Sequence, residues 1–132
     1  MAAFTVTTAM AVGVVMAGAH PLAGSAWRPT EIVGDGLPAD NELFIRFEAN
    51  DKIEGHGGCN SFFGKYQVDA VNLTIGPLGS TRKACPPVIM KREAAFLGAL
   101  QKARLFLRDG VKLTLKDGQG VTVLRLAQND GD

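Results

Sequence analysis

Short stretches in which apolar and polar residues alternate recur along the chain. They predict β-strands, because successive side chains of a strand point to opposite faces. In residues 71–75, Val71, Leu73 and Ile75 share one face while Asn72 and Thr74 share the other. By the same reasoning we predict further strands at residues 22–34, 43–47, 52–55, 66–69, 105–108, 111–116 and 121–126. The turns between them include Asp109-Gly110, which is typical of antiparallel hairpins.

One segment, residues 88–104, has the 3.6-residue period of an amphipathic helix. Pro86-Pro87 precede it, at positions where a missing N–H costs little. Glu93 is the odd member of the apolar face, and we expect it at the margin of that face or hydrogen-bonded to a loop below. One helix among about eight short strands predicts an α+β fold: a strongly curved antiparallel sheet or open (cracked) β-barrel with the helix packed across it.

Length and charge give few functional constraints. The 132 residues suit one domain, and the net charge of +1 gives no reason to expect a nucleic-acid partner. Residues 28–69 hold four basic and eight acidic side chains, whereas residues 82–108 hold seven basic side chains and only Glu93. A solvated surface of mixed sign is the simple interpretation. A basic helix face that meets an anionic surface is the alternative.

The first 27 residues carry no charged side chain. Residues 9–16 form an apolar run, and residues 17–19 (Ala-Gly-Ala) fit a small-residue cleavage site. We therefore predict a signal peptide at 1–19, a domain at 20–127 and a polar tail at 128–132, although no Lys or Arg precedes the run. A transmembrane span is an alternative, but the run falls well below the ~20 residues that a bilayer requires. A buried first strand is another alternative, which the Ala and Gly content disfavours. We expect a periplasmic or secreted protein with no integral membrane span after cleavage, and a monomer.

Residues 55–66 are the most distinctive stretch, with four glycines, a cysteine and three aromatic residues. The glycines fit a tight bulge, in which they would provide positive φ angles and close packing. An anion-cradling nest fits less well, because the spacing matches neither the Walker A motif nor G-x-G-x-x-G. Asn60 is expected to cap the turn through hydrogen bonds to neighbouring backbone. Phe62, Gly64 and Tyr66 share one face of an extended chain. We expect the two rings to pack in the core, with an exposed aromatic platform as the alternative.

This stretch resembles the signature G-G-C-N-x-(F/Y)-x-G-x-Y of the META/HslJ domain family. Residues 80–86 resemble the family's T-x-M-A-C segment, with Lys83 where Met is usual, and residues 93–100 resemble its helix. The resemblance covers about residues 22–126. The positions that match the family motifs, interpreted as structural, are Trp27, Gly57, Gly58, Cys59, Asn60, Phe62, Gly64, Tyr66, Thr81, Cys85 and Glu93.

The resemblance implies a β-rich barrel-like domain with one helix and an envelope or secreted location. Family members are often lipoproteins. This chain departs from that pattern, because no cysteine precedes Cys59. Bacterial members are linked to heat-inducible expression and novobiocin resistance, and trypanosomatid members to secretion and virulence. No enzymatic activity belongs to the family.

The two cysteines, Cys59 and Cys85, have three interpretations. An exported chain with an even number of cysteines favours a disulfide. Two separate buried thiols are the second interpretation. The third is a metal site or nucleophile that includes His56, but the sequence offers neither a third ligand nor an orienting group for a base. We therefore predict no catalytic residue, no metal and no cofactor.

These observations predict an exported, non-enzymatic binding or structural module in cell-envelope maintenance or in stress and antibiotic tolerance. Its partner would be an unknown envelope protein. The alternative is a carrier of a small hydrophobic ligand or lipid, held in the cavity of an open barrel.

Overall fold

The computed structural model of the chain describes residues 20–38 and 40–129. The predicted signal peptide, residues 1–19, lies outside the described residues, as does the end of the polar tail, residues 130–132. The described residues form nine β-strands and one α-helix. These are β1 (Ser25–Ile32), β2 (Phe44–Phe47), β3 (Lys52–His56), β4 (Ser61–Asp69), β5 (Asn72–Ile75), β6 (Gly79–Ser80), α1 (Pro87–Lys102), β7 (Leu105–Asp109), β8 (Lys112–Lys116) and β9 (Thr122–Gln128).

The strands form one antiparallel sheet in the order β3-β2-β1-β9-β8-β7-β5-β4-β6. Pairing of β3 with β4 closes eight of the strands into a barrel, and the two-residue β6 extends the sheet from the start of β4. The predicted α+β fold, with one helix packed across a strongly curved sheet, is confirmed. The barrel is closed, which goes beyond the open form expected from the sequence.

Large side chains fill the inside of the barrel. Trp27, Phe47, Phe62, Tyr66 and Phe96 are each at most 1% exposed. An eight-stranded barrel has an interior just wide enough for side chains to fill. The inward-pointing residues of the strands and the apolar face of α1 therefore make one continuous core.

The helix was predicted at 88–104 and forms at Pro87–Lys102. Its buried side chains are Glu93, Phe96, Ala99 and Leu100. All but Ala99 belong to the face that the 3.6-residue period predicted. The Phe96 ring packs edge-on against the Phe62 ring of β4, with 5.8 Å between centroids. Among the described residues, no helix is both long and apolar enough to cross a membrane.

Two strand predictions differ from the structure: β4, predicted from residue 66, begins at Ser61, and Val71, predicted to be in a strand, is not. Asp69 pairs with Asn72, so Ala70 and Val71 form the two-residue turn between β4 and β5, and Val71 is exposed. Val71 follows the same alternating sequence pattern as Leu73 and Ile75. It nevertheless lies in the tight turn, just before the strand begins.

Candidate functional site at the Glu93 junction

The distinctive motif folds into the loop 57–60, which joins β3 to β4 as a hairpin closed by the pair His56 and Ser61. The Gly57 N–H donates to the Asn60 carbonyl at 2.8 Å. Gly58 has a φ of +109°, a conformation that disfavours residues with a side chain. We call the meeting place of this loop, segment 81–85 and Glu93 the Glu93 junction.

Glu93 reaches from α1 into the loop and is 6% exposed. Its Oε2 accepts hydrogen bonds from the backbone N–H groups of Asn60, at 2.6 Å, and Cys59, at 3.2 Å. Its Oε1 accepts a third from Asn60 Nδ2 at 2.9 Å. Of the two positions considered for Glu93, the usual one at the margin of the face is not observed, and the alternative, a hydrogen bond to a loop below the helix, is. The loop backbone thus cradles an anion, the role that the glycine spacing disfavoured, and that anion is the protein's own carboxylate.

Gly57 is required at this junction because of the Glu93 side chain. A Cβ at Gly57 would lie 2.5 Å from Glu93 Cγ and 2.6 Å from its Oε2. The glycine therefore allows the carboxylate to approach the loop backbone. From the sequence, the glycines were expected to allow close packing in a β-bulge. The structure instead has a hairpin loop that packs on a helix.

Asn60 does not cap its own turn, so that expectation is wrong. Its Oδ1 accepts hydrogen bonds from the Lys83 N–H at 2.6 Å and from Thr81 Oγ1 at 2.9 Å. Its Nδ2 donates to the Lys83 carbonyl at 3.3 Å as well as to Glu93. The loop backbone already bonds to itself and to Glu93. The amide is therefore free to hold the segment that leads into the helix.

Cys59 and Cys85 form a disulfide, with 6.0 Å between their Cα atoms. Segment 81–85 is therefore attached to the loop covalently as well as through Asn60. His56 Nδ1 accepts a hydrogen bond from the Gly58 N–H at 3.0 Å, so its ring supports the loop. Within the described part of the chain, no group of three His, Cys, Asp or Glu side chains is arranged to hold a metal ion.

The aromatic residues of the motif lie in the core. Phe62 and Tyr66 point inward, whereas Phe63 between them is 56% exposed. The two inward rings do not enclose Gly64. A Cβ there would instead meet Leu78 Cδ2 at 2.9 Å.

The Tyr66 hydroxyl donates to the Glu48 carbonyl at 2.7 Å and lies 3.2 Å from His20 Nε2. Burial, with smaller contributions from the charges of Asp51 and Glu48, raises the pKa of Tyr66 to about 12. Tyr66 therefore remains a neutral phenol under ordinary conditions.

Trp27 is buried on β1, remote in sequence from the junction. Its Nε1 donates to Ser25 Oγ at 2.7 Å, and the Arg108 guanidinium lies 4.9 Å from the centre of its ring. The sequence pattern identified Trp27 but neither of these neighbours. Ser25 precedes Trp27 by two positions on the same strand face, a signal that was available. Arg108 carries no such signal, because barrel closure brings it near.

A cleft with a volume of about 510 Å³ adjoins the junction. It runs between β6 and α1. Thr81, Arg82 and Lys83 line one side, and Met90 and Glu93 line the other. At its base, the polar groups of Asn60 and Glu93 form hydrogen bonds with each other and with neighbouring groups of the protein. The side chains free to meet a ligand are therefore those at the rim.

The chain matches one protein-family model, and its fold is similar to that of other solved structures. The family model described as META domain matches residues 20–130. A protein from Burkholderia xenovorans, solved by NMR, aligns with a TM-score of 0.68 at 20% identity, over 98% of this chain and 99% of that one. A crystal structure of a DUF4847 family protein from Bacteroides vulgatus aligns with a TM-score of 0.61 at 19% identity, over 85% of this chain and 97% of that one. No curated protein matches the chain. At these identities the two structures establish a shared fold.

Proposed function

The chain belongs to the META domain family, and from that premise we propose that it is an exported, non-enzymatic binding module of the cell envelope. Its partner would contact the outside of the barrel. The role we propose for it is envelope maintenance or tolerance of stress and antibiotics.

The observation that carries the proposal is the disulfide between Cys59 and Cys85. Disulfides persist in oxidising compartments such as the periplasm and the extracellular space, and they are rare in the cytosol. The bond fixes the junction, where the motif residues hold one another. Their polar groups are engaged internally, which supports a structural role for the motif over a catalytic one.

The filled interior favours a surface contact over the alternative of a hydrophobic carrier. A carrier requires an apolar cavity large enough for its ligand. The rings of Trp27, Phe47 and Tyr66 occupy the space that a ligand would need. The native protein is therefore expected not to bind the dye ANS, and strong binding would favour the carrier.

The test combines mass and thiol accessibility in protein recovered from the exporting cell. We expect a mature chain that begins at His20, is about 2 Da lighter than its fully reduced form, and takes up alkylating reagent only after reduction. Folded protein retained in the cytosol with two reactive thiols would contradict export. Chemical cross-linking in the same cells should capture an envelope protein, and a deletion strain should become more sensitive to envelope stress.

A further inference from the structure

The cleft between β6 and α1 lies beside the terminal strand of the sheet. We propose that it binds an extended, acidic segment of a partner protein as an added strand on β6. The inference deepens the proposed function and rests on it, because it identifies the surface and the chemistry of the partner. It depends on two features of the groove: a short open backbone edge and the charge of the rim.

β6 is the terminal strand of the sheet, paired with β4 on one side only. Thr81 N–H donates to the Ser61 carbonyl at 3.0 Å, so the backbone groups of Thr81 point towards β4. Backbone groups alternate in direction along an antiparallel strand. The N–H and C=O of Ser80 therefore point away from β4, towards the groove. Because they point away from β4, these two groups take no part in the β4 ladder. Among the described residues, no other backbone group is found to bond to them.

The open edge of β6 is short, because the strand has only two residues. The N–H and C=O of Lys83, further along the chain, bond the Asn60 amide next to β4, so they face the β4 side as the groups of Thr81 do. The open edge is thus a short window at Ser80. An added strand of a few residues would satisfy it, whereas so short an edge disfavours a long edge-to-edge sheet pairing.

The rim of the window is basic. The side chains of Arg82 and Lys83 are exposed beside it. Glu93 is the one acidic residue of the lining, and its carboxylate is consumed by three hydrogen bonds. Met90 and Leu78, both half-buried, supply an apolar floor for an alternate side chain of the added strand. Backbone pairing gives affinity in such complexes, and side-chain contacts give specificity.

The test selects peptides from a displayed library of random short sequences with the oxidised, mature protein. We expect the selected peptides to be enriched in Asp and Glu and to bind in extended form. Ser80→Pro removes the N–H that faces the groove and leaves the β4 ladder intact, so it should weaken the selected peptides by about tenfold or more. Ser80→Ala, which keeps the backbone N–H, is the variant against which Ser80→Pro is compared, and it should bind more tightly than Ser80→Pro does.

A charge variant tests the rim separately. Arg82→Gln with Lys83→Gln should weaken binding by about tenfold and reduce its salt dependence. Lys52→Gln with Lys65→Gln removes a directly paired set of lysines on β3 and β4, away from the groove, and should change affinity by no more than about twofold. If Ser80→Pro does not fold, amide exchange of the wild type replaces it, because a bound strand should slow exchange at Ser80.

Three results would overturn the inference: selected peptides that are neutral or basic, equal binding by Ser80→Pro and Ser80→Ala, or unchanged exchange at Ser80 with peptide bound. A Ser80→Pro protein that still captures the envelope partner would also overturn it and leave the proposed function standing. A reduced protein retained in the cytosol would instead overturn the proposed function.

Discussion

Glu93 on α1 accepts a hydrogen bond at 2.6 Å from the backbone N–H of Asn60, which lies 33 residues earlier. This contact explains why a carboxylate occupies the apolar face of the helix. A single side chain bonds two consecutive backbone N–H groups and the amide that holds segment 81–85. The predictions below follow from this junction and from the core beside it.

Replacement of Glu93 should destabilise the fold strongly. Glu93→Ala leaves buried donors of the loop unsatisfied and should lower the free energy of unfolding by about 3 kcal/mol. Glu93→Gln keeps one acceptor oxygen but places an amide NH₂ against a donor, and should cost about half as much. Denaturant unfolding measures both. Lys91→Ala, an exposed substitution on the same helix, is the control and should be nearly neutral; an equally neutral Glu93→Gln would contradict the role of the carboxylate.

A pair of glycine substitutions separates close packing from helix propensity. Gly57→Ala drives a methyl group into Glu93 and should lower the free energy of unfolding by about 2 kcal/mol. Gly98→Ala lies in α1 with nothing within 4 Å of the new Cβ, and should raise it by up to about 1 kcal/mol. Thermal unfolding of the two variants should shift in opposite directions. Shifts in the same direction would show that the loop yields to the methyl group.

Loss of the disulfide should lower stability without changing the fold. Closure of a loop of this size is worth about 3.5 kcal/mol in the chain-entropy model. A Cys59→Ala, Cys85→Ala double variant should show that loss in denaturant unfolding, and wild-type protein in reductant should approach it. A transition midpoint that does not move with reductant would argue against the bond.

Tyr66 makes the protein sensitive to alkali. Because burial raises its pKa from 10.0 to about 12, the folded state favours the neutral phenol. The resulting stability is complete below pH 10.0 and is lost as the pH rises towards about 12. Tyr66 is the single tyrosine of the chain, so phenolate absorbance reports on it alone. Tyr66→Phe should abolish this signal, and a wild-type titration at the ordinary tyrosine pKa would refute the shift.

The contrast between α1 and the junction explains how far the sequence was informative. Helix and strand periods are local, so the positions of α1 and most strands could be predicted from them. Glu93 and Asn60 were both recognised as unusual, yet only for Glu93 was the right kind of partner expected. Asn60 bonds Thr81 and Lys83, which become its neighbours only when the barrel closes. The two-residue β6 is too short to show a period, and its pairing with β4 is likewise a result of the tertiary fold.

The pairing of β1 with β9 has a consequence for the order of folding. Thr30 on β1 bonds the Arg125 carbonyl on β9, 95 residues away. Contacts this distant form slowly, because a long chain must be ordered before they are gained. The barrel cannot close until β9 has been synthesised, whereas local hairpins such as β7–β8 can pair earlier. A variant that weakens the β1–β9 pairing should therefore slow the final closure of the barrel more than the formation of its hairpins.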